Sequence, residues 1–448
     1  MFPAVTEALA RRYDVPAPRY TSYPTAPTWS TQIGPAAYAR ALAAADRRDA
    51  PLSLYAHIPF CRHRCSFCGC NVVIARQRTT ADPYIAAIAR EVETVAAQLP
   101  NRRGLSQIHW GGGTPTFLDA SQIERLWHAL TACFTVLPDA EVSVEVNPEE
   151  TSLDQLTLLR KLGFNRLSLG VQDLDPTVQA AINRDQPIEL TRDMLQHARA
   201  LGFSGINFDL IYGLPLQTQA TWSKTLEQVI GLRPDRVAVY GFAFLPALKP
   251  HQRRLAAYGL PGGADKLQLF RLAYDAFTSA GYRPIGMDHF ALPDDELSRA
   301  QARRALTRNF QGYTVQAATE VIALGATGIS DIGGIYAQNA HVVARYEEEA
   351  VDGKLCTERG FVLSAEDRRR RQIISQIMCN FFVDLGPDAG THFAPELLQL
   401  AELEKQGLLR LDGSQVELTE LGRVFVRNVA LVFDQYLHAE GAQFSRAI

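Results

Sequence analysis

The sequence has no excess of basic residues, no long apolar run and few cysteines outside one short segment. A net charge of −3 argues against a general nucleic-acid-binding protein, which is normally basic. No run approaches the ~18 apolar residues that a membrane-spanning helix requires. The first residues lack the apolar core and small-residue cleavage site of a signal peptide. We therefore expect a cytoplasmic protein.

Cysteine usage also excludes a secreted disulfide scaffold. There are 7 cysteines, and Cys61, Cys65, Cys68 and Cys70 are crowded into one segment, which is not a disulfide framework. With 448 residues and 47% hydrophobic content, the chain can form one large α/β domain and a smaller one.

Between about residues 50 and 245, short β-rich runs alternate with amphipathic helical stretches. The predicted strands are 52–58, 106–112, 141–146, 166–172, 205–211 and 236–242. Helices are predicted over 81–99, 121–134 and 220–232. This order predicts an α/β fold with a parallel sheet, and near-continuous apolar strands predict a sheet covered on both faces. An incomplete barrel of six strand–helix units suits the pattern, and a doubly wound sheet is the alternative.

The flanking segments have different compositions. In residues 1–50, "PRYTSYPTAPTW" cannot form a long helix, so we expect an extended N-terminal arm across the barrel. The catalytic domain is expected over 51–345, with a helix at 265–282 and an irregular cover over 283–340. Residues 360–448 are predicted to form a smaller, mainly helical domain with a hairpin turning at Asp412-Gly413, which suggests a winged-helix-like fold.

The segment "HIPFCRHRCSFCGCNVV" places Cys61, Cys65 and Cys68 at C-x3-C-x2-C spacing directly after a predicted strand. Thiolates on a short loop can bind one face of an iron–sulfur cubane. The iron without a protein ligand could chelate the amino and carboxylate groups of S-adenosylmethionine (SAM). A zinc site with Cys70 or His63 as fourth ligand is the alternative, although zinc usually takes paired ligands from two separated places. We expect Cys70 to point away from the cluster, towards the substrate or into packing.

The run "HWGGGTP" ends the second predicted strand, at Gly111, Gly112, Gly113, Thr114 and Pro115. Glycines allow close approach of a ligand and leave amides free to contact its polar groups. A tight turn of the barrel would require the same residues. A nucleotide P-loop is excluded because no G-x-x-x-x-G-K-[ST] motif is present.

Polar residues also emerge where apolar strands end: Glu145, Gln172 and Asp209. Each could be a cap or loop anchor, but three at one rim of a parallel barrel favour a ligand. Asp288 and His289, in "DHF", could supply acid and base groups, or His289 could be a buried hydrogen-bonded residue. The run "RRRR" at 368–371 is interpreted as a solvated helix face.

The cysteine spacing with Phe67 resembles the radical SAM superfamily. More narrowly, the chain resembles oxygen-independent coproporphyrinogen III oxidases (dehydrogenases). The shared phrases are "PRYTSYPTA", "HIPFC", "CGCN", "HWGGGTPT", "LSLGVQ", "DLIYGLP", "GMDHFALPDDEL", "NFQGYT" and "YAQN".

The resemblance implies a partial (β/α)6 barrel and a reaction of haem biosynthesis. Two propionates of coproporphyrinogen III would be oxidatively decarboxylated to vinyl groups by a SAM-derived 5′-deoxyadenosyl radical, giving protoporphyrinogen IX. The implied cofactors are a [4Fe-4S] cluster on the three cysteines and two SAM molecules. The implied contacts of the first are Tyr55, Phe67, Gly112, Gly113, Thr114, Glu145 and Ile329; those of the second are Gln172, Arg184, Asp209 and Ala243.

The resemblance also implies substrate residues, and by motif these are Tyr20, Ser22, Tyr23, Gln311 and Tyr313, with Asp288 and His289 as acid/base groups. We expect a monomer that works with an electron donor and an electron acceptor, neither identified by the sequence. Asn147 and Glu149 stand where the family commonly has an aspartate and an arginine, and Phe244 where a histidine is common. We expect these differences to affect the substrate or the second SAM.

Three other functions share some of these features. A sister radical enzyme, such as a methyltransferase or haem-degrading member, should lack the arm "YTSYPTA" and "CGC", both of which are present. A haem-carrying homologue usually has an aromatic in place of Cys70 and no arm. An iron–sulfur transcriptional regulator should have a basic recognition helix, whereas "APELLQLAELEKQG" is acidic.

Overall fold

The fold was obtained as a computed structural model, which describes residues 2–315, 320–437 and 444. Residues 438–443 and 445–448 of the predicted C-terminal domain, 316–319 of the cover and residue 1 of the arm lie outside the described residues.

The strands of the described residues follow the chain in this order: β1 (Leu52–Ile58), β2 (Phe60–Cys61), β3 (Val73–Ile74), β4 (Gly104–Gly112), β5 (Thr135–Val146), β6 (Arg166–Gln172), β7 (Gly205–Tyr212), β8 (Arg236–Gly241), β9 (Arg283–Ile285), β10 (His289–Ala291), β11 (Thr307–Asn309), β12 (Gly312–Thr314), β13 (Val321–Leu324), β14 (Ile329–Ile332), β15 (Ile335–Asn339), β16 (Thr357–Val362), β17 (Phe382–Asp384), β18 (Leu409–Asp412) and β19 (Gln415–Leu418).

The α-helices of the same residues are α1 (Glu7–Tyr13), α2 (Pro35–Ala45), α3 (Asp82–Ala97), α4 (Ala120–Cys133), α5 (Leu153–Lys161), α6 (Pro176–Ala181), α7 (Ile188–Ala200), α8 (Gln219–Leu232), α9 (Gly263–Ser279), α10 (Glu296–Ala302), α11 (Val343–Val351), α12 (Ala365–Asn380), α13 (Ala389–His392), α14 (Ala394–Lys405), α15 (Glu420–Val424) and α16 (Val426–Leu431).

The central sheet is an open, partial barrel. Its strand order is β16-β15-β14-β13-β1-β4-β5-β6-β7-β8-β10-β9. The six strands from β1 to β8 in this order are parallel and follow the chain in one direction. A doubly wound sheet would reverse its strand order at a switch point. The barrel prediction is therefore confirmed over the doubly wound alternative, and β13 adds a further parallel strand beside β1.

The barrel interior is polar, which corrects the expectation of near-continuous apolar strands. In β6 the buried positions are Leu167, Leu169 and Val171, and they alternate with less buried ones. The intervening side chains face inward because successive strand residues point to opposite faces of a sheet. The helices pack on the apolar outer face, so the inner face is left for polar side chains.

The arm and the C-terminal segment share a second hydrophobic core. Tyr13, Tyr20 and Tyr23 pack there against residues of α12, α14 and α16. The arm is extended between α1 and α2, and Ser30 pairs with Gly360 in an antiparallel bridge. Near the C-terminus the hairpin forms as expected, but β17 joins it in a three-stranded sheet. The register Asp412↔Gln415 makes Gly413 and Ser414 the turn residues, one position later than predicted.

Candidate active site

An open cavity lies at the carboxyl ends of the parallel strands, the end at which such barrels carry their chemistry. It has about 1090 Å³ of empty space, part of it open to solvent. Its lining includes most of the residues predicted from sequence: Cys61, Cys65, Phe67, Cys68, Gly112, Gly113, Thr114, Glu145, Gln172, Arg184 and Asp209. Residues from five strands and the cysteine loop therefore converge on one space.

The three predicted cluster cysteines lie on one wall of this cavity, which we call the cluster cavity. The Cys61 thiol lies 3.5 Å from the Thr114 hydroxyl, and Arg184 Nη1 lies 3.8 Å from Cys65 Sγ. Burial raises the pKa of Cys61 to about 12 and also raises the pKa of Cys65. A bound cation would reverse this effect, because metal ligation deprotonates thiols.

Cys70 does not point away from the other cysteines. It lines the same cavity, and a hydrogen bond with Cys70 is the main reason that the pKa of Cys68 falls to about 6. The two thiols therefore lie together in the cluster cavity. Within the part of the chain that the structure describes, no group of three or more His, Cys, Asp or Glu side chains is placed to hold a single metal ion.

The glycine run at the end of β4 is required sterically. A Cβ at Gly111 would lie 2.8 Å from the Glu145 carboxylate, and one at Gly112 would lie 2.5 Å from the His57 ring. A Cβ at Gly113 would lie 2.8 Å from the backbone of Pro59 and Phe60. Gly112 also has φ +117°, which side-chain-bearing residues rarely adopt.

The amides of this run are not free, which corrects the sequence expectation. Gly112 N–H donates to Glu145 (3.1 Å), Gly113 N–H to Ile58 O (2.8 Å) and Thr114 N–H to Phe60 O (2.8 Å). The run is thus hydrogen-bonded to β1, to β2 and to the Glu145 side chain of β5. The glycine run therefore lets a ligand approach the backbone closely but does not supply it with amide donors.

A wall of hydrogen-bonded side chains supports Glu145. His109 Nε2 lies 3.2 Å from Glu145 Oε1, and the His109 ring stacks on Tyr55 with ring centroids 5.8 Å apart. Burial favours the protonated acid, but the hydrogen bond and charge of His109, with the Gly112 amide, hold the pKa of Glu145 below its usual value. Tyr55 also donates to His57 Nδ1 (3.1 Å), and His57 Nε2 donates to Asn71 O (3.2 Å). Tyr55 therefore supports the cavity wall from behind.

The second predicted group surrounds Asp209 on β7. Its carboxylate accepts hydrogen bonds from Ser168 (2.9 Å) and Asn207 (2.9 Å). Burial raises the pKa of Asp209 to about 6; the Ser168 hydrogen bond opposes this change, and the negative charge of Glu145 adds to it. Gln172 ends β6 with φ 67°, a left-handed conformation that turns the chain at the rim.

Arg184 reaches the same space and is held by several acceptors. It donates to Gly170 O (2.5 Å) and to the Gln186 side chain, and its Nε lies 3.4 Å from Glu149 Oε2. Glu149 also accepts from the Asp185 amide (2.7 Å) and lies 3.6 Å from His63. Glu149, which stands where the family commonly has an arginine, thus places a carboxylate against Arg184.

Three predicted residues of the arm lie outside the lining of the cluster cavity. Tyr20, Ser22 and Tyr23 are all buried between the arm and the C-terminal core. Tyr20 donates to Asp434 (2.9 Å), and the Gln435 amide donates to Tyr23 (3.2 Å). These contacts join the arm to the C-terminal segment.

Three implied SAM contacts lie outside the lining of the cluster cavity: Tyr55, described above, Ile329 and Ala243. Ile329 begins β14 and packs near Trp29 and Tyr336. Ala243 follows β8 and lines a neighbouring cavity, and its carbonyl accepts from Gln252 (3.3 Å).

A polar cavity continues into the barrel interior. It shares Glu145, Ser168, Asp209 and Tyr240 with the cluster cavity and is also lined by Gln311, Tyr313 and His289. Asp288 accepts from His289 Nδ1 (2.6 Å) and pairs with Arg19. Burial opposes ionisation of Asp288, but Arg19 and His289 hold its pKa well below the usual range. His289 is thus neither solvent-exposed nor in an apolar core; it faces the barrel interior.

The arginine run is not a solvated face. Arg371 pairs with Asp331 of β14, Arg370 with Glu366 and Glu396, and Arg369 with Asp388. The Arg370 side chain is only 6% exposed. The run joins α12 to its neighbours and to the sheet.

Sequence reasoning missed His109, Ser168, Asn207 and Tyr240. Each lies on a strand between apolar residues, and Ser168 stands opposite Glu145 in the register of β5 and β6. The period-two alternation of polar and apolar residues was the available signal.

The cavity fits an iron–sulfur cluster with SAM. Three thiols on one loop supply a cluster face with one open position. Among the described residues, buried Arg184 Nε and Glu150 Oε2 form no hydrogen bond, which is unusual for buried polar atoms. A zwitterionic ligand would offer both of them partners.

Comparison with known proteins identifies two regions. The Radical SAM superfamily matches residues 55–229, and the HemN C-terminal domain matches residues 363–425. The oxygen-independent coproporphyrinogen III oxidase of Pseudomonas aeruginosa is 43% identical over 450 residues, covering 98% of this chain and 98% of the relative. Its Escherichia coli counterpart is 44% identical over 450 residues, with the same coverage.

A solved structure has the same fold. It is described as "Coproporphyrinogen III oxidase (HemN) from Escherichia coli is a Radical SAM enzyme" and matches with a TM-score of 0.90 and 44% identity. The match covers 93% of this chain and 97% of that chain.

Proposed function

Because this chain belongs to the oxygen-independent coproporphyrinogen III oxidases of the radical SAM superfamily, we propose that the cluster cavity is where it decarboxylates its substrate. The reaction converts two propionate side chains of coproporphyrinogen III to vinyl groups and gives protoporphyrinogen IX, in haem biosynthesis. Each propionate loses one hydrogen atom, one electron and carbon dioxide.

The cofactors are a [4Fe-4S] cluster and SAM, which together supply a 5′-deoxyadenosyl radical that abstracts hydrogen from the propionate. Cys61, Cys65 and Cys68 would hold the cluster. The glycine run lets a ligand lie against the end of β4, and Glu145, held ionised by His109, suits an ammonium or a ribose diol. On the second side, Asp209 and Arg184 offer a hydroxyl acceptor and a carboxylate partner.

The protein contributes position. The cavity lies at the carboxyl ends of the parallel strands, and residues from β4 to β8 line it, so the reacting groups would be held near one another. The observation that carries the proposal is the convergence of three thiols, a glycine edge and two carboxylates on one cavity.

The remaining predictions stay proposals. We propose an arm over 1–50, a catalytic domain over 51–345 and a C-terminal domain over 360–448, supported by two separate hydrophobic cores. We also propose a cytoplasmic monomer with an electron donor and an electron acceptor still to be identified. None of the 7 cysteines, all of which lie in the described residues, forms a disulfide. Among the described residues, no helix is long and apolar enough to cross a membrane.

The test is an anaerobic reaction. The protein is reconstituted with iron and sulfide and given reductant, SAM and coproporphyrinogen III, and products are resolved by mass. Loss of two carbon dioxides with release of deoxyadenosine is expected. Release of deoxyadenosine without decarboxylation would support the radical chemistry but contradict the proposed substrate. A protein that binds zinc and forms no cluster would contradict both the radical chemistry and the substrate.

A further inference from the structure

A second large cavity adjoins the cluster cavity at the same end of the barrel. It has about 1130 Å³ of empty space, part of it open to solvent, and lies between the ends of β7 and β8, the arm and the C-terminal segment. Tyr212 ends β7 and Gly241 ends β8, and both line it. We call it the basic cavity for the cations described next.

Three cationic side chains from different parts of the chain line the basic cavity: Arg19 of the arm, Lys266 of α9 and Arg427 of α16. Arg427 is 7% exposed and donates through Nε to Pro18 O (3.1 Å). Lys266 Nζ donates to Phe242 O (2.9 Å). Burial lowers the pKa of Lys266, and Asp14 partly offsets this effect.

The described anionic groups around these cations are Asp14 and Asp288. Asp288 is paired with Arg19 and His289. Burial together with the charge of Arg19 lowers the pKa of Arg427 to about 10. An incoming anion would relieve this repulsion between like charges.

Apolar and aromatic surface completes the lining. Phe242, Phe244 and Tyr212 present ring surface beside the cations. Glycines permit the close packing: a Cβ at Gly213 would lie 2.8 Å from Lys266 Cε, and one at Gly241 would lie 2.9 Å from the Tyr212 hydroxyl. Flat apolar walls with several cations suit a large ring that carries carboxylates.

Tyr240 separates the basic cavity from the cluster cavity. Its side chain lines the cluster cavity, and the Arg19 guanidinium lies 5.5 Å from the centroid of its ring. The two cavities are therefore neighbours at the ends of β7 and β8, where Ile211 and Tyr240 line the cluster cavity and Tyr212 and Gly241 line the basic cavity.

We propose that the basic cavity binds the propionates of the porphyrinogen that are not reacting, through Lys266, Arg427 and Arg19. The inference rests on the proposed function. Two of the four propionates remain charged throughout the reaction and need cationic partners, and this placement directs the other propionates towards the cluster cavity. Lys266 and Arg427 are substrate-binding residues in this arrangement.

The carboxylate of SAM has the same chemistry and is the other possible source, because Ala243 also lines the basic cavity. The two ligands are distinguished by measuring each separately. The full-length reconstituted protein is titrated anaerobically with coproporphyrin III, a fluorescent ligand with four propionates, and independently with SAM.

The variants are Lys266→Met, which keeps the hydrocarbon stem, Lys266→Gln, and Lys266→Arg, which restores the charge. Arg271→Gln is the matched control, since Arg271 lies on the same helix and its side chain is 55% exposed. Thermal midpoints establish that each variant folds, and KM and kcat for coproporphyrinogen III are measured in parallel.

We expect Lys266→Met and Lys266→Gln to weaken coproporphyrin III binding by about tenfold or more, as loss of a charge-assisted hydrogen bond does. KM should rise with little change in kcat, SAM affinity should be unchanged, and Lys266→Arg should recover most of the binding. Unchanged porphyrin affinity, or an equal loss of SAM affinity, would overturn the proposal. If the parent protein makes no product, the proposed function fails, while the two titrations still decide the ligand of the basic cavity.

Discussion

At the scale of single residues, the four cysteines of one loop share a cavity, and we propose that they differ in role. Cys70 forms a hydrogen bond with Cys68 and lines the same cavity. We expect Cys70→Ser to retain a cluster of about four irons per chain and Cys68→Ser to lose it, because the first three thiols supply the cluster face. Iron and sulfide content after anaerobic reconstitution measures this difference. Loss of the cluster in Cys70→Ser would instead make Cys70 a ligand.

Glu149 is the second residue whose effect can be isolated. Its carboxylate lies 3.4 Å from Arg184 Nε, with both side chains nearly buried. We expect Glu149→Gln to keep the acceptor for the Asp185 amide and to free the arginine charge. SAM should then bind more tightly at the second position, by about threefold to tenfold, if Arg184 pairs with its carboxylate.

Equilibrium dialysis with labelled SAM measures both stoichiometry and affinity. Glu227→Gln, on the exposed face of α8, is the control and should leave both unchanged. Weaker SAM binding in Glu149→Gln would show that the carboxylate positions Arg184 rather than competing for it.

At the scale of elements, β4 ends in a glycine run because neighbouring side chains occupy the space of each missing Cβ. We expect Gly112→Ala to lower the free energy of unfolding by at least about 2 kcal/mol, since the Cβ would meet a His57 ring that Tyr55 and Asn71 hold in place. Gly104 begins the same strand, and a Cβ there would lie 3.6 Å from the Leu137 side chain, which is an ordinary contact. Gly104→Ala should therefore change the free energy of unfolding by less than about 0.5 kcal/mol. Urea denaturation compares the two, and equal effects would contradict the steric argument.

Glu91 makes the joint between α3 and the cover titratable. Its carboxylate accepts from the Gly325 amide (2.8 Å), Asn339 (2.6 Å) and Tyr346 (2.6 Å), and burial raises its pKa to about 7. The folded state then holds a proton that the unfolded chain loses near pH 4.5. The free energy of unfolding should therefore fall as the pH rises from about 4.5 to about 7.

Glu91→Gln should remove this residue's share of that slope, because the amide does not ionise. Denaturant unfolding at pH 5 and pH 8 measures the difference. Glu93→Gln on the same helix, with a 57% exposed side chain, should retain the parent's slope. A slope unaffected by Glu91→Gln would mean that Glu91 ionises normally.

At the scale of the whole molecule, the C-terminal segment is fastened to the sheet by Arg371 of α12. It pairs with Asp331 of β14, whose side chain is only 9% exposed. We expect Arg371→Gln to cost about 2–3 kcal/mol, because the aspartate charge would be left buried and unpaired. Arg369→Gln, two positions earlier, breaks a pair with the half-exposed Asp388 and should cost about 1 kcal/mol or less. Thermal unfolding of both variants tests the distinction.

The strands of the barrel were predictable because each is bounded by turn residues and carries an apolar outer face. β1 and β6 begin and end at the predicted residues, and the prediction for β5 missed its first six residues, from Thr135. β17 was missed because three residues between two helices carry no periodic signal. The cysteine loop was predictable in chemistry but not in geometry, since no spacing rule places Cys70 beside Cys68.

The sequence by itself determined the class of chemistry and the barrel. Cysteine spacing and strand–helix alternation are local patterns, so they can be read along the chain without knowing which distant residues are in contact. Only the tertiary structure decided which cations share a cavity. Arg19, Lys266 and Arg427 are separated by up to 408 positions (427 minus 19) and meet only after the arm and the C-terminal segment pack over the barrel end. Their positions along the chain do not predict that they share a cavity, because long-range packing and not local periodicity brings them together.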